Sequence, residues 1–368
     1  MKEQEKDGGI PSDFGELTEG GLSFIIYPKD GAEGAFVLDF YGTLGTACRE
    51  KEQILTLFRA GMTGARLNLS HTTLEECDDL LMGQFWPAAR EHGIAARLIV
   101  DLQGPELRVG KLETPILLEE GKTVLLGEEG IPVPQIVADA ADRGDQISLD
   151  DSALLLEVEE RQEKALACRV LRGGYLESRK SLTILDVQTD APTLTEEDRY
   201  NLSLAKQYGV TDVLQPFVRG REDIRVLRAA LGEFGLEHVR IMAKIENQQG
   251  LDRLEEIVEE ADVICIARGD LGNNIPLWKL PSAQKKIARC CREKNRSFFV
   301  VTQMLWSMQE RAVPTRAEVC DIYNAVLDGA DALMLTGETA VGKYPAQAMD
   351  YLVKTALTAV EDMTRERE

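Results

Sequence analysis

Histidine is scarce in this chain, with three residues in 368. That excludes a His-rich metal centre. Cysteine offers no alternative: Cys48, Cys77, Cys168, Cys265, Cys290, Cys291 and Cys320 form no CxxC pair, are odd in number, and several sit in apolar segments. They read as reduced packing residues of a cytoplasmic protein rather than as a sulfur-based metal site. No apolar run reaches transmembrane length, and the N-terminus MKEQEKDGG is no signal peptide. Positive charge is in deficit, 42 basic against 63 acidic residues, for a net charge of −21. The excess disfavours nucleic acid and anionic membranes as partners. Any anionic substrate must therefore be held by local cations. Short repeats of the solenoid type are also missing.

What is present is alternation. The length allows one large core plus a smaller satellite domain. Residues 1–33 are rich in Gly, Glu and Asp without a sustained period, which predicts a loosely docked lead-in. A strand at 36–41 follows. Its DFYGT resembles the nucleophile motif of haloacid dehalogenase-type phosphatases, but Tyr41 stands where that motif needs a second Asp, so the likeness is discounted. Then come helix 51–61, strand 64–70, helix 73–92 and strand 94–101. Between 110 and 188 the pattern breaks into short β-like runs at 114–118, 123–126, 146–149 and 165–171, with Gly and acidic turns between them. Alternation resumes with a helix opening at Thr195 and strands at 213–218, 239–246, 263–270, 297–302 and 332–336. Helices 221–234, 249–260, 281–293 and 315–328 lie between these strands, and a last helix starts at Pro345. Eight strands, each followed by a helix, with an insertion after the third, predict a (β/α)8 TIM barrel carrying a small all-β domain. The expected division is barrel 34–109 and 189–368, with the insert at 110–188. An open doubly wound sheet is the alternative; it usually shows a Gly-rich first turn, and none is present.

Two strands end abruptly in charge. Val239–Asn247 runs apolar into Lys244 and Glu246, which share a face at i, i+2, and Val263–Asp270 ends in Arg268, Gly269 and Asp270. Glu246 and Asp270 can share a divalent cation with Lys244 beside it, a two-carboxylate arrangement that suits Mg²⁺. Polar residues close the other strands as well: Arg66, Asn68 and Ser70 the second, Asp101 with Arg108 beyond it the third, Thr302 the seventh, Thr336 and Glu338 the eighth. Barrel enzymes assemble their sites at this C-terminal face.

The stretches MTGARLNLSH, DLQGPELRVG, IMAKIENQQG, IARGDLG, VTQMLWSM, PTRAEV and MLTGETAVGKYP, in that order, resemble pyruvate kinase over roughly residues 36–360. The resemblance implies phosphoryl transfer from phosphoenolpyruvate to ADP in a cytoplasmic glycolytic enzyme that uses Mg²⁺ and K⁺. It implies that Lys244 stabilises the transferring phosphoryl group and the enolate, that Glu246 and Asp270 hold Mg²⁺, and that Gly269 and Thr302 contact the three-carbon substrate. Arg66 would bind its phosphate. Asn68, Ser70, Asp101 and the Leu102 carbonyl match the K⁺ site; Arg108, Lys180 and the run from Asn68 to His71 match nucleotide contacts. Small-molecule substrates are thus the expected partners, with room for a homo-oligomer. The family's usual regulatory domain after the barrel is expected to be absent, since the sequence closes after the eighth helix.

The departures from the family pattern cluster on the nucleotide side and at the barrel rim. The GVNLPG turn reads Ser181 to Asp186, Gly45-Thr46 replaces GP, Glu76 stands where an aromatic is expected near adenine, and Asn274 and Trp306 replace acids. ASFVR reads Gln215 to Arg219. Phosphoenolpyruvate and Mg²⁺ are therefore better supported than ADP. Glu106, in GPELR, goes with K⁺ dependence, whereas Leu102, Gln103 and Val109 resemble the K⁺-independent branch; the charge of Glu106 favours dependence. Trp306 reads as a half-buried helix residue and Thr315 as a helix cap. A metal-dependent barrel lyase working through a pyruvate enolate, and a phosphoenolpyruvate-binding paralogue without activity, remain the alternatives.

Overall fold

The computed structural model describes residues 26–28, 35–70, 72–150, 152–162, 164–185, 187 and 191–365. Eight parallel strands close into a barrel: Asp39–Thr43, Gly64–Asn68, Arg97–Asp101, Asp212–Gln215, Arg240–Ile245, Val263–Ala267, Ser297–Val301 and Ala332–Leu335. Each pairs with its neighbours in the chain, and the eighth closes on the first, with Ala332 opposite Asp39. Strands covered on both faces must be apolar nearly throughout. Leu98, Val100, Ile241, Ala243, Ile264, Phe298 and Val300 point outward into the core shared with the helices. Tyr41, Ile99, Leu214, Met242, Cys265, Phe299 and Met334 point inward and fill the barrel.

Charge brackets that apolar plug at both ends. At the strand N-termini, Arg240 Nε lies 2.5 Å and Arg97 Nη1 3.4 Å from the fully buried Asp212 carboxylate, and Asp39 accepts the Tyr41 hydroxyl at 2.9 Å. The C-terminal end carries Thr43, Asp101 and Lys244 from the first, third and fifth of these strands and Arg66 from the second.

The insertion after the third strand folds around its own core, which includes Leu126, Ile147, Leu156, Leu166 and Val170. Its six-stranded antiparallel sheet runs in the order Leu107–Arg108, Ser181–Ile184, Gln146–Leu149, Leu154–Arg161, Ala165–Arg172 and Thr123–Gly127. Ile116–Leu118 pairs separately with Gly174–Leu176, immediately after Pro115. One six-residue helix, Gln135–Ala140, interrupts the β pattern.

Several predicted elements differ in detail. The helix expected over 249–260 breaks at Arg253 into Gln248–Asp252 and Leu254–Glu260. There the Arg253 guanidinium packs on Gly220, where a Cβ would come within 2.3 Å of Nη1. The helix expected over 73–92 is a π-helix, Asp79–Phe85, running into Trp86–His92; Pro87, with no N–H to donate, sits at the junction. Of the expected lead-in, only Ile26–Pro28 is described; it pairs antiparallel with Ala35–Val37.

Candidate active site

The fifth strand aims its charged end into the barrel. Inward positions alternate, so Met242 fills the plug and Lys244, two residues on, emerges at the mouth. Its Nζ lies 2.9 Å from Glu246 Oε1 and 3.4 Å from Asp101 Oδ1. Asp101 ends the third strand, and its Oδ2 takes both Nε and Nη2 of Arg66, at 2.9 and 2.7 Å. Arg66 Nη1 donates to Thr43 Oγ1 at 3.3 Å. Two cations and two carboxylates thus converge from the second, third and fifth strands, with Thr43 of the first beside them. Burial alone would lower the Lys244 ammonium, but Asp101, Glu246 and Asp270 outweigh it and hold it far above the ordinary lysine range.

Glu246 behaves in the opposite sense to an ordinary surface acid. Full burial pushes its carboxyl up to about 8; Lys244 opposes the rise, and contact with the Asp270 carboxylate adds to it. Its Oε2 accepts the Phe217 N–H at 2.8 Å. Glu246 Oε1 and Asp101 Oδ1 are buried without a hydrogen-bond donor of proper geometry. The abutting carboxylates of Glu246 and Asp270 are a donor set that fits a hard divalent cation. Among the described residues no group of three or more His, Cys, Asp and Glu is arranged for a metal.

Gly269 and Asp270 are expected at a strand end; they lie instead in the first turn of helix Arg268–Asn274. The sixth strand stops at Ala267, the last residue to find a partner, Val301, on the seventh. The turn brings the Gly269 N–H to Thr302 Oγ1 at 2.7 Å, and Thr302 Oγ1 in turn donates to Val301 O at 2.6 Å. Thr302 has φ +73° and Gln303 φ +54°. A β-branched residue in that region is strained, and here surrounding bonds hold it in place. Arg268 supplies one, donating to Thr302 O at 2.8 Å while pairing with Asp321 at 2.6 Å.

The remaining candidates lie around this cluster. Asn68 Oδ1 accepts the Ser70 N–H at 3.2 Å, and the Leu102 N–H donates to Leu214 O at 3.1 Å. Arg108 pairs with Glu106 at 2.8 Å and donates to Arg179 O. Burial still pushes the Glu106 carboxyl up. Lys180 pairs with Asp150 at 3.0 Å and with Glu177 at 3.5 Å. His71 lies outside the described residues. Glu338 is fully buried and accepts the Leu305 and Thr336 N–H groups at 3.0 and 2.8 Å, so it holds backbone. Trp306, expected half-buried, is exposed on a short 3-10 helix. A cleft between insert and barrel is lined by Glu106, Ser181, Thr183, Asn247, Gln248 and Asp270. Sequence reasoning missed Thr43, Phe217 and Arg268. Only Arg268 carried a signal, as a charge beside Asp270 at the end of an apolar run.

The family model for the pyruvate kinase barrel domain matches residues 38–349. The chain belongs to the pyruvate kinase family. It is 37% identical over 324 residues to a pyruvate kinase of Aeropyrum pernix, covering 87% of this chain and 70% of the relative. A pyruvate kinase of Geobacillus stearothermophilus is 36% identical over 326 residues, 86% of this chain and 55% of that protein. One of Mycobacterium intracellulare is 37% identical, over 87% and 69% respectively. The chain thus spans between about half and about two thirds of these relatives' length. Pyruvate kinases are generally metal-dependent phosphotransferases, in keeping with the paired carboxylates. Among the described residues no helix is long and apolar enough to cross a membrane.

Proposed function

We propose that this chain transfers the phosphoryl group of phosphoenolpyruvate to ADP, giving pyruvate and ATP. The observation that carries the reading is the buried Lys244 ammonium between Asp101 and Glu246, with Asp270 against Glu246. Phosphoryl transfer asks a protein mainly for positioning and for cations around spreading negative charge. The bond between phosphorus and the enol oxygen breaks, a β-phosphate oxygen of ADP takes the phosphoryl group, and the enolate gains a proton at C3. Lys244 faces the charge that grows on the bridging oxygen. Arg66, with Nε and Nη2 fixed by Asp101, is oriented to meet the substrate phosphate. Gly269 and Thr302 flank the three-carbon unit.

Glu246 and Asp270 would hold Mg²⁺, which supplies Lewis-acid neutralisation of phosphate and enolate oxygens. Asn68, Ser70, Asp101 and the Leu102 carbonyl would hold K⁺. On this reading the insert is a lid over the barrel, and it takes in Leu107–Arg108, expected in the barrel, which pairs with Ser181–Leu182. Arg108 and Lys180 reach the nucleotide by exchanging Glu106 and Asp150 for its phosphates, and Asn68 and His71 are the further nucleotide contacts of this reading. The deciding experiment measures pyruvate formation from phosphoenolpyruvate with Mg²⁺ and K⁺, with and without ADP. Pyruvate that appears only with ADP, with equal ATP, supports the proposal. Pyruvate without ADP would mean enolate chemistry of another kind, and none under either condition would mean binding alone.

A further inference from the structure

The insert hangs on two chain crossings, and a buried barrel carboxylate holds each. On the way out, the Gln103 and Gly104 N–H groups donate to Asp198 Oδ1 and Oδ2, at 2.9 and 3.0 Å. Gly104 has φ +59°, and a Cβ there would come within 2.4 Å of Pro216 Cγ, so this turn fits no other residue without displacement. On the way back, Arg219 donates to Ala191 O at 2.9 Å, and its guanidinium is gripped by Asp223, which also accepts the Thr193 hydroxyl at 2.5 Å. Asp198 is 1% exposed.

Capping explains only part of what Asp198 does. It is the third residue of helix Glu196–Tyr208 and closes a capping box with Thr195: Thr195 N–H donates to Oδ2 at 2.9 Å and Asp198 N–H to Thr195 Oγ1 at 3.0 Å. A box needs nothing from Gln103 and Gly104, more than 90 residues away in sequence. Two successive N–H groups on the two oxygens of one buried carboxylate form a backbone anion cradle, and they fix the direction in which the chain leaves the barrel. Glu106 and Arg108 follow within four residues. Arg108 lies opposite Ser181 in the lid sheet, and the Val109 N–H donates to Lys180 O at 2.9 Å. The angle set at Gln103–Gly104 is therefore carried directly to Arg108 and Lys180.

We propose that Asp198 is a positioning residue that sets the lid's approach to the barrel mouth, and with it the reach of Arg108 and Lys180 to the nucleotide. The substrate named here rests on the phosphoryl-transfer reading above. Asn in its place presents an NH2 to a backbone donor, so one hinge bond is lost at nearly unchanged volume. Asp198→Asn is compared with Thr195→Ala, which removes the cap and leaves the hinge. The proposal expects Asp198→Asn to raise KM for ADP about tenfold while KM for phosphoenolpyruvate stays within about twofold. Thr195→Ala should leave both within about twofold. Hydrogen exchange of the free full-length protein, which needs no turnover, should quicken at least about tenfold across residues 103–110 in Asp198→Asn only. Equal behaviour of the two variants, in KM or in exchange, overturns the proposal. If the unaltered protein makes no pyruvate, the functional reading fails and exchange alone decides the hinge.

Discussion

Lys244 is so firmly ion-paired that replacing it tests two things at once. Alanine would leave Glu246 buried without its cation and Asp101 with Arg66 alone, and removing one partner of a buried pair costs about 3–5 kcal/mol. Lys244→Gln keeps a donor and most of the volume, and so separates folding from chemistry. It should lower kcat by about 10²–10³-fold or more while phosphoenolpyruvate affinity stays within about tenfold, because charge that grows in the transition state is what the ammonium meets. Steady-state rates beside calorimetric binding check this, and near-full kcat would remove Lys244 from the mechanism. Glu246 gives a second prediction. Its folded carboxyl sits near 8, above the ordinary 4.5, so the metal-free folded protein binds more protons than the unfolded chain between those values. Stability contributed by this group is full below about pH 4.5 and is lost as pH rises through about 8. A divalent cation needs the ionised form, so its apparent affinity should climb up to about pH 8 and then level off, with proton release on binding. Titrations in buffers of different ionisation enthalpy count that proton. No release at pH 7 would mean that Glu246 is already ionised there. Lys244 and Glu246 were legible in sequence because charge at i and i+2 after an apolar run is conspicuous. Their tie to Asp101 was not, since that contact spans more than 140 residues.

The elements divide along the same line between local and distant causes. Barrel strands were legible because burial on both faces makes them continuous apolar runs, and their ends were misjudged only where a neighbour stops pairing, as at Ala267. The insert was harder. Leu154–Arg161 was passed over because its glutamates look like turn residues, yet Leu154, Leu156 and Val158 are buried while Glu157 and Glu159 alternate outward. At the helix break the Arg253 guanidinium packs on Gly220, more than 30 residues earlier, and no local pattern marks that contact. Caps, by contrast, are local. Thr315 does cap helix Arg316–Leu327: its Oγ1 accepts the Glu318 N–H at 3.3 Å, and Glu318 returns bonds to Thr315 and to Ser307. Thr315→Ala should cost about 1 kcal/mol of stability, the usual value of an N-cap, with kcat within about twofold. Denaturant unfolding beside a rate assay checks it. A loss of rate far beyond the loss of stability would show that the loop carrying Thr302 depends on this cap.

Over the whole molecule, function and stability are separated along the barrel axis. Both charged layers use the third and fifth strands, and the apolar plug from Tyr41 to Met334 lies between them. In the upper layer Asp101 Oδ1 and Glu246 Oε1 meet the Lys244 ammonium at 3.4 and 2.9 Å and make no hydrogen bond of proper geometry. The lower layer is saturated instead: Asp212 takes Arg240 at 2.5 Å, Arg97 at 3.4 Å and the Thr211 hydroxyl at 2.6 Å. Charge at the strand N-termini serves folding, because substrates of barrel enzymes enter at the other face. Asp212→Asn should therefore remove the counter-charge of two arginines and destabilise the fold by about 3–5 kcal/mol. It should leave KM for both substrates, and kcat measured well below the melting temperature, within about twofold. Equilibrium unfolding in urea and steady-state kinetics at low temperature read the two effects separately. A fall in kcat matching that of Lys244→Gln would mean that the plug transmits strain from base to mouth, and the two layers would have to be treated as one site.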